Sequence, residues 1–158
     1  MNGTYKPLYF NSNITIENNV LLCAAWNDYA EYRETNAIEA GRCVVENGDD
    51  TMSLSTKRMQ PAAAIVSDTY GMVIGKTDKA NTPIAISGRV LAYTFEHRSE
   101  FHPGDFVCSG PNGTVSKMSR EEYLNYPECI IGIVSAIPPY EEWGESKVKV
   151  NNRIWIKV

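Results

Sequence analysis

Ile84-Ala85-Ile86-Ser87-Gly88-Arg89-Val90-Leu91-Ala92-Tyr93-Thr94-Phe95, residues 84 to 95, is the longest β-type run in the chain, and its reading decides the fold. β-branched and aromatic residues make up half of it, and a run of that kind bounded by turn residues reads as strand. The same texture recurs outward in shorter pieces. Before it stand Ile14 to Ile16, Val20 to Ala24, Arg42 to Glu46, Met52 to Ser55, Ala63 to Ser67 and Met72 to Gly75. After it come Asp105 to Cys108, Thr114 to Lys117, Cys129 to Ile137, Val148 to Val150 and Ile154 to Val158. Asn47-Gly48, Asn112-Gly113 and Asn151-Asn152 separate such runs, and Asn and Gly accept the positive φ that tight turns demand. The pattern predicts an all-β fold, an antiparallel sandwich or barrel-like domain with a turn roughly every ten residues. It leaves room for one short helix, where Ser119 as N-cap and Glu122 three residues on form a capping box over a segment that ends before Pro127.

The composition agrees with a folded chain. At 158 residues, with 43% hydrophobic and 22% charged residues, it has one domain's length and enough apolar matter for a core. The net charge of -4, with no run of Lys or Arg beyond two, supplies no basic field for phosphates, so neither nucleic acid nor an anionic membrane surface is an expected partner. No apolar stretch approaches the roughly 18 residues that span a bilayer, so no membrane insertion is expected. The segment Met1 to Pro7 lacks the charged and apolar parts of a signal peptide, and synthesis in the cytoplasm is the expectation.

Residues 1–19 are polar and Asn-rich, whereas 20–158 carry the β-type runs, so the chain divides into an N-terminal arm and a β-rich body. The arm has too few apolar groups to order itself and is expected to lean on another copy of the chain. Cys23, Cys43, Cys108 and Cys129 stand singly and read as buried free thiols, with neither zinc nor redox spacing. His97 and His102, five residues apart before Pro103, read as a solvated loop rather than a metal site. The glycines from Gly71 to Gly75 and from Gly110 to Gly113 read as turns, and Glu141 to Glu145 as an acidic loop whose Trp143 packs back on the core. No cofactor loop or metal set is recognisable.

Trp26-Asn27-Asp28-Tyr29-Ala30-Glu31-Tyr32, with Gly41-Arg42-Cys43-Val44-Val45 and Ile130-Ile131-Gly132-Ile133-Val134-Ser135, resembles the autoproteolytic intramolecular-chaperone domain at the C-terminus of bacteriophage tailspike and appendage (tail fibre) proteins. The likeness runs from about residue 20 to the end and takes in Gly88-Arg89-Val90, Gly104-Asp105 and Arg153 to Val158. It implies a homotrimer that closes an upstream fibre stalk, helps three chains assemble and in some members cuts itself off. It also implies a virion protein made in the host cytoplasm, with a host-surface receptor as a further partner. A non-cleaving structural or receptor-binding fibre tip is the alternative, and a stand-alone β-barrel enzyme is a third reading that lacks a triad. The family's acidic cleavage residues fall on Asp28 and Glu31, with the cut expected around Ala24-Ala25-Trp26-Asn27.

Two carboxyls suit such chemistry because one ionised neighbour raises the other's pKa, so that one acts as base and the other as acid. A spacing of three puts them on one face of a helical turn but on opposite faces of a regular strand. The pair therefore needs a turn or bulge within one chain, or one acid from each of two chains. The plain structural alternative has Asp28 capping a turn, Glu31 paired with Arg33 or Arg42, and Trp26, Tyr29 and Tyr32 in the core. The residues at the expected cut include no serine, and cleavage by the Asn27 side chain is disfavoured by the bulky Asp28 that follows it.

Overall fold

The computed structural model describes residues 27–144 and 146–158. The 1–19 arm, the runs at 14–16 and 20–24, Cys23 and the expected cut as far as residue 26 lie outside the described residues. Among the described residues, twelve strands and one α-helix follow in order: β1 (Asp28–Thr35), β2 (Cys43–Glu46), β3 (Thr51–Leu54), β4 (Ala63–Ile65), β5 (Tyr70–Ile74), β6 (Thr82–Ala92), β7 (Phe106–Ser109), β8 (Val115–Lys117), α1 (Arg120–Asn125), β9 (Gly132–Ala136), β10 (Glu142–Trp143), β11 (Val148–Lys149) and β12 (Ile154–Lys157). The chain is mostly β, as the sequence predicts.

The long run at 84–95 supplies β6, the spine of the sheet. β1 pairs with it over residues 82–88, and β12 pairs with it over residues 89–92. The strand order is β4-β2-β3-β1-β6-β12-β9-β7-β8, with β5 added on β1. Isolated bridges Val66–Ile84 and Thr94–Val115 tie the two ends back to this spine, so the sheet curls into a half-barrel. Cys43, Ile65, Val90, Val107, Val134 and Ile156, from six different strands, fill one buried cluster within the curl. Full burial of such a Val or Ile contributes about 1.5–3 kcal/mol.

The sheet is mixed, which corrects the antiparallel expectation. β1 runs parallel to β5 over residues 28–31 and to β3 over residues 34–35, both on the edge opposite β6. Turn signals fix the antiparallel sense of a hairpin such as β2–β3, but not which of its strands docks on a third. Here the returning strand β3 docks, and it runs in the direction of β1.

Local chemistry behaves as read at several points. Ser119 and Glu122 form the capping box of α1, and Arg58 bonds Glu122, holding its carboxyl down at about 2. Asn112, Asn151 and Asn152 all adopt positive φ. Cys43, Cys108 and Cys129 are buried free thiols, and burial pushes the Cys43 thiol up to about 12. His97 and His102 are exposed, with His97 capping a short 3-10 turn at Arg98–Glu100. Trp143 packs edge-to-face on Trp155 at 5.3 Å.

Three local readings are corrected. Glu142 and Trp143 are a short strand paired with β11 and not a loop, while Trp143 packs on the core as expected. Gly71 lies within β5 as the extra residue between Tyr70 and Met72, a bulge and not a turn. The run from Cys129 enters as a 3-10 turn at Pro127–Cys129, and β9 begins only at Gly132.

Candidate functional site

The segment Asp28-Tyr29-Ala30-Glu31-Tyr32-Arg33-Glu34-Thr35 is strand β1 throughout, so Asp28 opens a strand and caps no turn. β1 itself is regular. Where its pairing shifts register, the extra residues are Gly71 on β5 and Ile86 on β6. Alternation is therefore preserved: Asp28 and Ala30 are buried, while Tyr29 and Glu31 lie on the other face and are half-buried. Within one chain, then, the strand sends the Asp28 and Glu31 side chains to opposite faces.

The entry to β1 is held by backbone. Gly88, at φ +118, brings its Cα so near the Asn27–Asp28 peptide that an added Cβ would sit 2.2 Å from the Asn27 carbonyl oxygen. The Arg89 N–H donates to that same oxygen at 2.6 Å, and the Arg89 guanidinium donates to Asn27 Oδ1 at 3.2 Å. On the other edge of β6, Gly88 and the chain's last residue, Val158, exchange backbone hydrogen bonds.

Asp28 is 2% exposed. Its Oδ1 accepts from Thr69 Oγ1 at 2.8 Å, and Ser67 Oγ accepts from the Thr69 backbone N–H at 3.0 Å and lies 3.4 Å from Thr69 Oγ1. Its Oδ2 and the neighbouring Asn27 Nδ2 are buried with no hydrogen-bond partner among the described residues. Burial pushes the Asp28 carboxyl up from the usual value. The Ser67 and Thr69 hydroxyls pull the other way, and the nearby Asp68 charge adds to the rise. Asp68 is itself compensated, gripping Arg153 through two 2.9 Å bonds.

Glu31 stands beside Ile84 of β6 and Ile74 of β5 and lines an open cleft with Arg33, Asp50 and Lys79. Neither expected ion pair forms: Arg33 reaches Glu46 and Asp50, and Arg42 reaches Glu39. Around it the outer strand β5 is uncovered. Tyr70, Met72 and Ile74 are 37%, 41% and 45% exposed, and Ile86 on the bulge of β6 is 50% exposed. The far edge of β5 pairs with no strand among the described residues.

Burial of a carboxyl with one hydrogen bond among the described residues favours its neutral form. Ser67 and Thr69 were not legible as members of this site. The string Ser67-Asp68-Thr69 after an apolar run reads as turn chemistry, and nothing in it points to a carboxylate 41 positions away. Elsewhere an open cleft of about 520 Å³ is lined by Ile38, Glu39, Arg42, Leu54 and Asn112, with Arg42 and Glu39 paired to each other. No group of three His, Cys, Asp or Glu residues stands ready to hold a metal ion among the described residues, and no helix among them is long and apolar enough to cross a membrane. No protein-family model, curated protein or solved structure matches the chain.

Proposed function

We propose that this chain is the C-terminal trimerisation and intramolecular-chaperone module of a phage tail fibre or tailspike, and that it cuts itself once near residues 24–27. The observation that carries the reading is one strand with two roles. β1 holds the buried carboxyl of Asp28 on its inner side and borders the uncovered apolar strand β5 on its outer edge. An apolar edge without Pro, Lys or inward charge is a docking template for another chain, and three copies meeting there would bury Met72, Ile74 and Ile86.

In this reading the two acids act from different chains. Asp28 faces its own body, Glu31 faces outward toward the shared surface, and the pair is complete only when a neighbouring copy brings its Glu31 to the junction. Cutting is thereby tied to assembly. The parent's stalk would precede the module, the product would reside in the virion, and a host-surface receptor remains a further partner.

A second reading keeps the trimer without the chemistry, as a permanent structural or receptor-binding tip, and the opposite facing of Asp28 and Glu31 within one chain favours it. Light scattering and denaturing mass analysis of one purified sample separate the readings. A trimer that releases a fragment ending between residues 24 and 27 is the expected result. A trimer that stays whole through long incubation leaves the tip, and a monomer at micromolar concentration overturns both.

A further inference from the structure

We propose that Thr69 is the positioning residue of Asp28: its hydroxyl occupies Oδ1 and leaves Oδ2 as the one oxygen that holds and hands over the proton. The inference takes its consequence for cutting from the proposed self-cleavage, but its geometry stands apart from that reading.

The hydrogen bonds around Thr69 run in one direction. The Thr69 backbone N–H donates to Ser67 Oγ at 3.0 Å, and the Thr69 hydroxyl spends its only proton on Asp28 Oδ1 at 2.8 Å. Ser67 Oγ and Thr69 Oγ1 lie 3.4 Å apart, and with the Thr69 proton on Asp28 the Ser67 hydroxyl is left free to point at Thr69 or at the Asp28 carboxyl that it also lowers. An oxygen that accepts from a fixed hydroxyl is the wrong oxygen to protonate, because its added hydrogen would meet the donor's. The proton of neutral Asp28 therefore belongs on Oδ2, the buried oxygen with no partner among the described residues.

Asn27 Nδ2, buried and equally unpartnered, stands one residue away. A peptide group presented to Oδ2 would meet the donor that its departing nitrogen needs. In the hydrolysis, water adds to the carbonyl carbon and the C–N bond breaks. The neighbouring copy's Glu31 carboxylate takes the proton lost by water, the Oδ2 proton goes to the leaving nitrogen, and exchange with solvent returns both acids to their starting states.

Thr69 and Ser67 supply hydroxyls to a junction whose own residues have none, yet they act through Asp28 and not on the peptide. Thr69 is 3% exposed and its proton is already committed.

The test follows the Asp28 carboxyl carbon by NMR in the isotope-labelled full chain as pH is raised, alongside the pH profile of any cleavage. Thr69→Val keeps the shape and removes the donor, so the Asp28 midpoint should move further up. Thr69→Ser restores a hydroxyl and should return it to the wild-type position. Ser67→Ala removes the other hydroxyl that lowers the Asp28 carboxyl and should likewise move the midpoint up, which serves if Thr69→Val does not fold. An unmoved midpoint in Thr69→Val, or the same move in Thr69→Ser, overturns the inference. A chain that never cuts while its midpoints respond as stated removes self-cleavage and leaves the positioning role standing.

Discussion

Two buried ionisable residues, Arg153 and Asp28, take their partners from adjacent positions, Asp68 and Thr69, and are treated in opposite ways. Arg153, 2% exposed, is well answered: Asp68 grips it with two bonds, and the carbonyls of Val150 and Lys149 accept one proton each, so that every guanidinium nitrogen has a partner. Asp28, equally buried, has one hydroxyl on one oxygen and nothing on the other among the described residues. A buried charge costs several kcal/mol unless it is paired and hydrogen-bonded. Among the described residues that pairing is present for Arg153 and absent for Asp28, although Asp68 and Thr69 are adjacent in the chain. The first site joins β12 to the loop before β5, which is a structural task. The second raises a carboxyl's affinity for its proton above the usual value, and no structural ion pair accounts for it among the described residues.

The comparison breaks most visibly at Asp68. Replacing Asp68 with Ala leaves the buried Arg153 with carbonyl partners alone, and the expected loss is about 3 kcal/mol, at the low end for breaking a buried pair because those carbonyls remain. A lower denaturant midpoint at an unchanged slope is the result to look for. A loss below half of that would mean that the carbonyls, and not the carboxylate, hold the guanidinium.

The next effect comes from the backbone that holds Asp28 in place. Gly88→Ala combines a strained positive φ with a Cβ 2.2 Å from the Asn27 carbonyl oxygen, so a destabilisation of about 1–3 kcal/mol is expected, together with loss of the Arg89 bond to that oxygen. Gly48→Ala is the control: its φ is +84, but nothing lies within 4 Å of the added atom, so it carries backbone strain without the clash. Equal costs at the two positions would show that the junction is no tighter than a surface turn.

What the sequence disclosed and what it hid divide along a physical line. Turns, the α1 cap and the β6 spine rest on neighbours in the chain, and Ser119, Asn112 and Ile84 to Ala92 behave as their local chemistry predicts. β1 escaped because Asp28, Glu31, Arg33 and Glu34 interrupt its strand-forming Tyr29, Tyr32 and Thr35 and leave no apolar alternation. The parallel docking of β3 and β5 escaped because local turn chemistry does not say which strand meets a third. In the site, Asp28 and Glu31 were picked out as residues, but their facing depends on where the bulges fall, and those lie in the partner strands at Gly71 and Ile86. Thr69 and Ser67 reach Asp28 only through the fold.

A smaller effect sharpens the Asp28 side alone. Its folded carboxyl titrates above the unfolded value of 3.8, so the native state binds more protons than the unfolded chain as pH rises past that value. The stability that the neutral carboxyl contributes is complete below 3.8 and is lost as pH climbs through the raised folded value. Asp28→Asn removes that slope: the variant and the wild type should diverge with rising pH, with the variant the flatter of the two. Parallel stability curves for the two proteins would mean that Asp28 is solvated as an ordinary surface acid.

The smallest effect on the folded monomer belongs to the outer side of the same strand pair. Ile74 is 45% exposed on β5, and its neighbours Tyr70 and Met72 are exposed as well. A Lys at position 74 gives up little burial and keeps its stem along the sheet, so the stability of the isolated chain should stay within about 0.5 kcal/mol of wild type. Its consequence for assembly is of another order. A charge on an apolar edge is the device by which sheets refuse a second chain, and three copies meeting at β5 would each have to bury it. Ile74→Lys should therefore lower the mass seen by light scattering toward that of one chain while the circular dichroism stays β-rich. If the wild type is trimeric and the variant remains so, the copies meet elsewhere. Glu31, which faces this edge, would then lose its route to the Asp28 of a neighbour, and Asp28 would be left as a lone buried acid.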